Sequence, residues 1–363
     1  MIGYRKLLIS LFCSMAVSAA GQPRLVKSLV PDMPSQAPDY FCTWNLQGYV
    51  ASYKSTELTR AAMTEDYLFG DGLYQNWVDC YPAIRKDLYF VMDDSWDIPK
   101  DVNDSPNLYL GCVELSSDRF PSFRGDAVER LKQLSEQIKS KGWKGVGGWI
   151  CAQKAETHAA IPEEEYWKQR IKAANAAGFD YWKVDWGKED RNGEWRRKLT
   201  AIGKRYAPHL YIEHALRNEF IEFSDVFRTY DVENITAQPI TIRRICDLLP
   251  YKTVEGAKGI INCEYEPYIA VGLGCAIGVM RHPFAGTLPD GAQDFVFPPV
   301  GRDIKRRLDE VVRGVRWHRI AEPFAVGYGT FAIDSVKLTD HWILQENETW
   351  NKGRTVGADV TAD

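Results

Sequence analysis

The chain has 363 residues, enough for one large domain plus a small one, and its 45% apolar and 26% charged content is ordinary for a globular protein. Its formal net charge of -4 gives no electrostatic reason to expect nucleic acid or an anionic membrane as a partner. Aromatic residues are plentiful, with 12 Trp and 18 Tyr. Flat apolar rings suit the C–H faces of sugars, although most of these aromatics are expected to serve ordinary packing.

The N-terminal segment has the pattern of a Sec signal peptide. Arg5 and Lys6 precede an apolar run that begins at Leu7, and small residues near Ala20 suit cleavage. The run is short for a membrane span, and Cys13 lacks the neighbours of a good lipoprotein signal. We therefore assign residues 1–20 to a signal peptide and expect an exported protein, periplasmic or extracellular, with no membrane span.

The cysteines give little sign of a metal site. Seven would remain after cleavage, and they are scattered along the chain: Cys42, Cys80, Cys112, Cys151, Cys246, Cys263 and Cys275. The absence of a CxxC pair disfavours zinc. An oxidising compartment permits disulfides, but their pairing stays open, and the odd number leaves at least one thiol unpaired. We expect no cofactor and no metal ion.

From about residue 40, short β-like runs alternate with amphipathic helical runs. Most of the β-like runs are nearly continuously apolar, as parallel strands covered on both faces are. They are Tyr40–Asn45, Asp87–Asp94, Lys144–Cys151, Asp180–Asp185, Leu210–His214, Val226–Asp231, Gly259–Glu264 and Ala276–Arg281. Eight strands with intervening helices predict an α/β fold, a (β/α)8 TIM barrel. A doubly wound open sheet is the alternative, but the Gly-rich loop expected after its first strand is missing.

The clearest helices are four apolar stripes at helical spacing, which begin at Val128, Trp167, Trp195 and Ile304. The first has Asp126 and Glu129 placed as a capping box and Gly142 as a stop signal.

After Pro323 the pattern changes to short runs typical of antiparallel strands, too few to close a sandwich. We assign residues 21–322 to the barrel and residues 323–363 to the beginning of a small antiparallel β domain, which we expect to be truncated.

The active site of a TIM barrel lies at the C-terminal ends of the strands. The predicted strand ends carry Trp44, Asn45, Asp93, Asp94, Trp96, Trp149, Cys151, Gln153, Lys183, Asp185, Glu213, His214, Arg228, Asp231, Glu264, Arg281 and His282. Any single Asp at a strand end can simply be the N-cap of the next helix. The convergence of many charges at one end of a barrel favours a functional site, because buried charges cost stability unless they are paired or used.

Two carboxylates on different strands suit the cleavage of glycosidic bonds. One attacks the anomeric carbon in its ionised form, and the other donates a proton to the leaving oxygen. We predict Asp185 as the nucleophile, because Lys183 lies two residues away on the same side of its strand and favours the charged form. Asp231 is the predicted acid/base. Arg228 lies near it in sequence and would orient a carboxylate or a hydroxyl, but would also lower the pKa of Asp231, which counts against the acid role.

Four segments at the predicted strand ends have a familiar pattern: Thr43–Asn45, Met92–Trp96, Tyr181–Asp185 and Phe227–Asp231. In these segments the chain resembles the α-galactosidase (melibiase-type) clan of retaining glycoside hydrolases, as a divergent member. The resemblance runs from about residue 40 to about residue 235 and is weak beyond that. It implies cleavage of terminal α-galactosyl residues from oligo- or polysaccharides by double displacement, and leaves the oligomeric state open.

By position, the resemblance implies Asp185 as nucleophile and Asp231 as acid/base. It places Asp93 and Asp94 at the O4 and O6 hydroxyls, Lys183 at O3 and Arg228 near the acid. The remaining predicted binding residues are Trp44 as an apolar wall, Trp149 at the end of strand three, and Glu213 and His214 at the C2 substituent.

The sequence departs from the family pattern at several points. Ser95 stands where a Cys is common, Trp186-Gly187 follows the nucleophile, and the interval from Arg228 to Asp231 is one residue shorter than expected. These departures leave open a β-L-arabinopyranosidase or an α-N-acetylgalactosaminidase. A barrel that binds sugar without cutting it is a separate alternative, and the presence of both Asp185 and Asp231 argues against it. A metal-dependent hydrolase using Asp93, Asp94 and Asp97 is disfavoured, because the glycine and distal glutamate of an EF-hand are missing.

Overall fold

The computed structural model describes residues 29–52, 55–232, 259–263, 267–272, 274–280 and 304–321. The chain divides into two compact units, Met1–Asp32 and Met33–Asp363. Residues 29–32 of the first unit contain no helix or strand. The predicted signal peptide and the predicted C-terminal β domain lie outside the described residues, so both stay predictions.

The second unit contains eight parallel strands that close into a barrel in chain order, with β8 paired to β1. The strands are β1 Tyr40–Cys42, β2 Tyr89–Met92, β3 Gly145–Ile150, β4 Tyr181–Val184, β5 Tyr211–His214, β6 Val226–Val232, β7 Gly259–Cys263 and β8 Ala276–Val279. This confirms the predicted (β/α)8 barrel and excludes the open sheet.

Eight α-helices occur among the described residues. They are α1 Trp44–Val50, α2 Thr56–Ala61, α3 Glu65–Phe69, α4 Ala127–Ser140, α5 Glu163–Ala176, α6 Gly193–Tyr206, α7 Pro267–Gly272 and α8 Ile304–Trp317. Short 3-10 helices occupy Trp77–Asp79, Arg85–Asp87, Glu156–His158 and Asn218–Phe220. None of the helices in the described ranges has the length and apolar content needed to cross a bilayer.

The start of α4 shows the contacts that underlie its predicted capping pattern. Asp126 accepts hydrogen bonds from the backbone N–H groups of Val128 and Glu129, and the Glu129 side chain accepts from the backbone of Asp126. This is the predicted capping box, which satisfies N–H groups that have no partner within the helix. Leu131 and Leu134 are buried against the barrel.

The prediction was wrong at the end of β1, where Tyr40–Asn45 was expected to be extended throughout. The strand ends at Cys42, and Trp44 begins α1 after Thr43, whose carbonyl accepts from the backbone N–H of Gln47. A continuously apolar segment does not distinguish a buried strand from the helix that follows it directly.

Side chains of alternating strand positions form two separate cores. The core inside the barrel contains Tyr40, Cys42, Tyr89, Val91, Tyr181, Val226, Ile260, Ala276 and Met280, with Tyr211 packed against it. Phe41, Phe90, Trp182, Ile212 and Phe227 belong to the larger core between the strands and the helices. This alternation follows from the two-residue period of a strand, and it fixes which strand residues reach the interior.

Four tyrosines fill the interior of the barrel beside Gly145 and Gly147 of β3. The Tyr181 ring lies 5.5 Å from Tyr40, 5.6 Å from Tyr89 and 6.2 Å from Tyr211. A Cβ on Gly147 would lie 2.4 Å from the carbonyl oxygen of Tyr181. The interior below the strand ends is therefore packed with rings.

Aspartates lie one or two residues before four strands, at the opposite end of the barrel from the predicted site. Asp39 and Asp180 accept from the backbone N–H groups of Ile277 and Val146, and Asp87 and Asp225 accept from Ser35 and Ile212. Asp39 also pairs with His318, and Asp87 with Arg319, just after α8. These carboxylates join neighbouring elements at the N-terminal edge.

Candidate active site

A cavity of about 220 Å³ opens at the C-terminal ends of the strands. It is lined by Trp44, Asp93, Asp94, Trp149, Lys183, Asp185, Trp186, Arg228 and Met280. Seven of these nine were predicted as site residues from their positions at strand ends. A larger cavity of about 500 Å³ lies between α5 and α6 on the outside of the barrel and contains none of the predicted residues.

Asp185 follows β4 and forms part of the cavity wall. Its Oδ1 accepts from Arg228 Nη2 at 2.8 Å, and its Oδ2 accepts from the indole N–H of Trp149 at 3.2 Å. Its side chain keeps 21% of its surface exposed. Burial alone would raise the pKa of Asp185, but the positive charges of Arg228 and then Lys183 lower it to about 2. The carboxylate is therefore ionised at any ordinary pH.

The main cause of this ionisation differs from the one expected. Lys183 was predicted to hold Asp185 in its charged form, and it contributes less than Arg228. The Nζ of Lys183 is paired with Asp93 Oδ2 at 2.7 Å. Arg228, which was predicted to act near Asp231, bridges Asp185 and Glu213, with its Nε 3.2 Å from Glu213 Oε1.

Lys183 and Asp93 form a buried ion pair on one side of the cavity. Asp93 Oδ2 also accepts from the thiol of Cys42 at 2.8 Å, and its Oδ1 accepts from the backbone N–H of Asp94 at 2.9 Å. Burial alone would lower the pKa of Lys183, but Asp93 and then Cys42 raise it above the ordinary value. The pair is therefore a fixed lysine–carboxylate site at the edge of the cavity.

Asp94 lies beside Asp93 and has a different partner. Its Oδ2 accepts from Arg60 Nε at 2.8 Å, and its Oδ1 accepts from the Ser95 hydroxyl at 3.0 Å. Burial raises the pKa of Asp94 to about 6, while the adjacent Arg60 opposes this increase. Two neighbouring carboxylates with separate cationic partners can both accept hydrogen bonds from ligand hydroxyls.

Glu213 lies beneath the cavity rather than in its lining. It is fully buried, accepts from the Tyr181 hydroxyl at 2.5 Å and is paired with Arg228. Burial raises its pKa above the ordinary value. Glu213 was predicted to contact the C2 substituent, but it is not among the described residues that line the cavity, and its contact with that lining is through Arg228.

His214 is not in the site, and its prediction as a binding residue was wrong. Its Nε2 lies 2.8 Å from the Thr200 hydroxyl and its Nδ1 lies 3.1 Å from Arg196 Nη1, both on α6. Consecutive strand residues point to opposite faces, so a neighbour of the inward Glu213 faces the helices. Burial and the Arg196 charge lower the pKa of His214 well below its ordinary value.

Indole rings form the other side of the cavity. Trp149 and Trp186 pack with ring centroids 5.4 Å apart and planes inclined at 52°. The loop that carries Trp186 is held to the loop after β3, because the Ala152 N–H donates to the Trp186 carbonyl at 2.8 Å. A Cβ on Gly187 would lie 2.6 Å from the Ala152 carbonyl oxygen, so glycine permits this close approach.

Several residues of the site were not predicted. Met280 and Trp186 line the cavity, and Arg60 and Cys42 hold the two aspartates. Trp186 and Met280 each follow a strand by one or two residues, so strand-end position was the available signal. Arg60 lies on a short helix between β1 and β2, and no periodicity or motif marked it.

Asp231 is described through its backbone alone, and Glu264, Arg281 and His282 lie outside the described residues. Arg228 is in register with Ile260 and Asp231 with Asn262, so three residue steps on β6 match two on β7. A bulge of this kind places an extra residue in one strand.

The described residues contain no group of three or more His, Cys, Asp or Glu side chains placed to hold a metal ion. Cys42, Cys80, Cys112, Cys151 and Cys275 are buried and form no disulfide with another described residue.

No protein-family model matches the chain, and no curated protein matches it. Among solved structures, the chain is similar to a GH27 β-L-arabinopyranosidase from Geobacillus stearothermophilus, with 12% identity and a TM-score of 0.46, covering 77% of this chain and 76% of that one. It is also similar to α-galactosidase I from Mortierella vinacea, with 14% identity and a TM-score of 0.43, covering 80% and 75%. For an α-galactosidase from Saccharomyces cerevisiae the identity is 11%, the TM-score 0.40 and the coverage 68% and 61%. Similarity of this degree concerns the fold, and the chemistry has to be inferred from the residues of the cavity.

Proposed function

We propose that the protein is a retaining glycoside hydrolase that removes terminal α-galactosyl residues from glycans by double displacement. The observation that carries this proposal is the state of Asp185, an ionised and partly exposed carboxylate in a cavity at the strand ends. Arg228 and Trp149 hold both of its oxygens in place. A fixed carboxylate with a low pKa suits a nucleophile that must not take up a proton before it attacks.

In the proposed first step, an Asp185 oxygen forms a bond to the anomeric carbon while the glycosidic C–O bond breaks. Asp231 gives its proton to the departing oxygen, so the leaving group departs as an alcohol. In the second step, Asp231 takes a proton from water, the water oxygen bonds to the anomeric carbon, and Asp185 is released as a carboxylate. The configuration is inverted twice and therefore retained.

The cavity supports an enzyme that accepts one terminal sugar. Its volume of about 220 Å³ is below the roughly 300 to 1,000 Å³ typical of sites for drug-sized ligands. Asp93 and Asp94 offer carboxylate oxygens to neighbouring hydroxyls, as the motif resemblance implies for O4 and O6 of galactose. The rings of Trp44, Trp149 and Trp186 offer apolar surface to the sugar's C–H groups.

The substrate test uses the purified chain with p-nitrophenyl α-galactoside, β-L-arabinopyranoside and α-N-acetylgalactosaminide. We expect the α-galactoside to be cleaved fastest. Faster cleavage of either of the other two glycosides would show that the preferred sugar is not galactose but a related one. If p-nitrophenol is released from none of the three, the proposal of a hydrolase of this clan is wrong.

The mechanism has a separate test in Asp185→Ala. This variant should lose cleavage, and added azide should restore turnover by forming a glycosyl azide of inverted configuration. Asp185→Asn is the matched control, because it keeps the side-chain volume without an ionised oxygen. Substantial activity of the alanine variant without azide would rule out Asp185 as nucleophile.

A barrel that binds sugar without cutting it is the second candidate, and one observation favours it. The ion pair with Arg228 that keeps Asp185 ionised also stabilises its negative charge, so this carboxylate is a weaker nucleophile than an unpaired one. Isothermal titration with galactose, combined with the aryl glycoside assay, distinguishes the two candidates, because the non-catalytic barrel binds galactose and leaves every aryl glycoside intact.

A further inference from the structure

Arg60 is a buried arginine beside the cavity but is absent from its lining. It lies on α2, is 3% exposed and donates from Nε to Asp94 Oδ2 at 2.8 Å. The carbon of its guanidinium group lies 5.0 Å from the centre of the Trp186 ring. One side chain therefore contacts both a carboxylate and an indole of the cavity.

These two contacts connect opposite parts of the site. Trp186 packs on Trp149, and the Trp149 indole donates to Asp185. Asp94 accepts ligand hydroxyls on the other side, if the proposed function holds. A chain of direct contacts thus leads from the hydroxyl-binding carboxylate through Arg60 to the residues that hold the proposed nucleophile.

The position of Arg60 is itself fixed by a second buried arginine. Arg119 Nη1 donates to the carbonyl oxygens of Arg60 and Met63, both at 3.1 Å, and Arg119 Nε donates to that of Ile98 at 2.7 Å. Arg60 Nη1 in turn reaches the carbonyl oxygen of Asn103 at 3.4 Å. Holding α2 against the loop after β2 limits the positions that the Arg60 guanidinium can take.

We propose that Arg60 is a positioning residue of the sugar site, which keeps Asp94 available as an ionised hydroxyl acceptor and holds Trp186 against the cavity. This inference rests on the proposed function for its effect on turnover, but the Asp94 and Trp186 contacts can be tested without any substrate.

The surroundings of Asp94 show why Arg60 has this role. Among the described residues, the charged and titratable groups that interact with Asp94 include Arg60, Asp93, Asp97, Arg119 and Cys151. Burial raises the pKa of Asp94, and Arg60 lowers it more than Ser95 does, both by its charge and by its hydrogen bond. Without that guanidinium, burial and the charge of Asp93 would raise the pKa of Asp94 further, and a larger fraction of its carboxyl group would be protonated at neutral pH.

The test compares Arg60→Met and Arg60→Lys with Arg85→Met in the full chain. Arg85 is a matched control because it is a half-buried arginine near the N-terminal edge, where it pairs with Asp79 and donates to the Cys80 carbonyl. The first readout is the titration of Asp94 by NMR of carboxyl-labelled aspartate, assigned with Asp94→Asn. The second is near-ultraviolet circular dichroism of the tryptophans, and the third is KM and kcat on the best aryl glycoside between pH 5 and 8.

We expect Arg60→Met to raise the Asp94 midpoint by at least one pH unit and to increase KM at pH 7 about ten-fold, with a smaller effect on kcat. Arg60→Lys should keep the Asp94 midpoint near that of the wild type, because it retains the charge, while altering the tryptophan signal. Arg85→Met should change neither the Asp94 midpoint nor the tryptophan signal. If Arg60→Met does not fold, Arg60→Lys still tests the contact with Trp186. An unaltered tryptophan signal in Arg60→Lys would show that Arg60 does not hold the Trp186 ring.

An Asp94 midpoint that is the same in Arg60→Met as in the wild type overturns the proposal. A wild-type protein that cleaves no glycoside removes the proposed function, while the Asp94 titration and the tryptophan signal still decide the role of Arg60.

Discussion

Arg228 and Asp185 are 43 positions apart in the chain, yet Arg228 Nη2 donates to Asp185 Oδ1 at 2.8 Å, while the same guanidinium lies 3.2 Å from Glu213. The Arg228 guanidinium therefore forms ion pairs with Asp185 in the cavity lining and with Glu213 beneath it. Arg228 on β6 is therefore the main source of the positive charge that keeps Asp185, just after β4, ionised.

Replacing Arg228 by Met should raise the pKa of Asp185 from about 2, because burial would no longer be opposed by the nearest positive charge. We expect the acidic limb of the kcat/KM profile to move to higher pH by about one unit or more, with a loss of activity at pH 4 to 5. Arg197→Met is the control, since Arg197 forms an exposed ion pair with Glu222. An acidic limb that does not move would show that Arg228 is not the main cause of the low pKa of Asp185.

Trp149→Phe keeps an aromatic ring next to Trp186 and removes the indole N–H that binds Asp185. A hydrogen bond to a charged group contributes about 1.5 to 3 kcal/mol, so kcat/KM should fall about 10- to 100-fold. Trp143→Phe loses a comparable buried bond, from its indole N–H to the Val78 carbonyl, away from the cavity. It should lower the melting temperature and leave kcat/KM within about two-fold.

The pair formed by His318 and Asp39 should make stability depend on pH. Burial alone would lower the pKa of His318, but Asp39 raises it above the ordinary value of the histidine side chain. The stabilisation is therefore fully present below about pH 6.5 and is lost as the pH rises through the folded-state pKa.

The destabilisation caused by His318→Gln, measured by urea unfolding, should be largest near pH 6 and should shrink towards pH 9. His209→Gln, at an exposed histidine, is the control for general effects of the substitution. A destabilisation that is constant across this range would show that the His318 charge does not contribute.

Gly187→Ala should disturb the site, because its Cβ would lie 2.6 Å from the backbone of Ala152, next to Trp186. Backbone strain of this kind costs about 1 to 3 kcal/mol. Gly142→Ala is a matched control, since Gly142 also has a positive φ, of 96°, but nothing lies within 4 Å of its added Cβ. Both variants should lose stability, and only Gly187→Ala should raise KM. Equal KM values would show that the Trp186 loop does not position the ring.

The five described cysteine thiols should be unreactive in the folded protein. Burial raises the pKa of Cys80, Cys112 and Cys275 to about 12, and that of Cys42 and Cys151 well above the ordinary value. Peptide mapping after treatment with a disulfide reagent at pH 8 should find them unmodified, and modified after unfolding in guanidinium. Rapid labelling of any of the five in the native protein would contradict this burial.

The barrel was predictable because its strands are apolar on both faces and are bounded by polar residues. Asp93, Asp94, Lys183 and Asp185 came together because the C-terminal ends of parallel strands meet at one end of a barrel. His214 was misplaced because a single strand-end position does not reveal which face a residue occupies. Arg60 could not be found, since its contact with Asp94 depends on how a short helix packs, and nothing local in the sequence records that.

The aspartates before β1, β2, β4 and β6 suggest how such a barrel tolerates change. Each accepts a hydrogen bond from a backbone N–H group at the N-terminal edge, remote from the cavity. The carboxylates at the C-terminal edge are therefore not needed to close the barrel. A protein engineer could therefore exchange the lining residues to redirect the substrate preference, while the opposite edge continues to hold the strands in register.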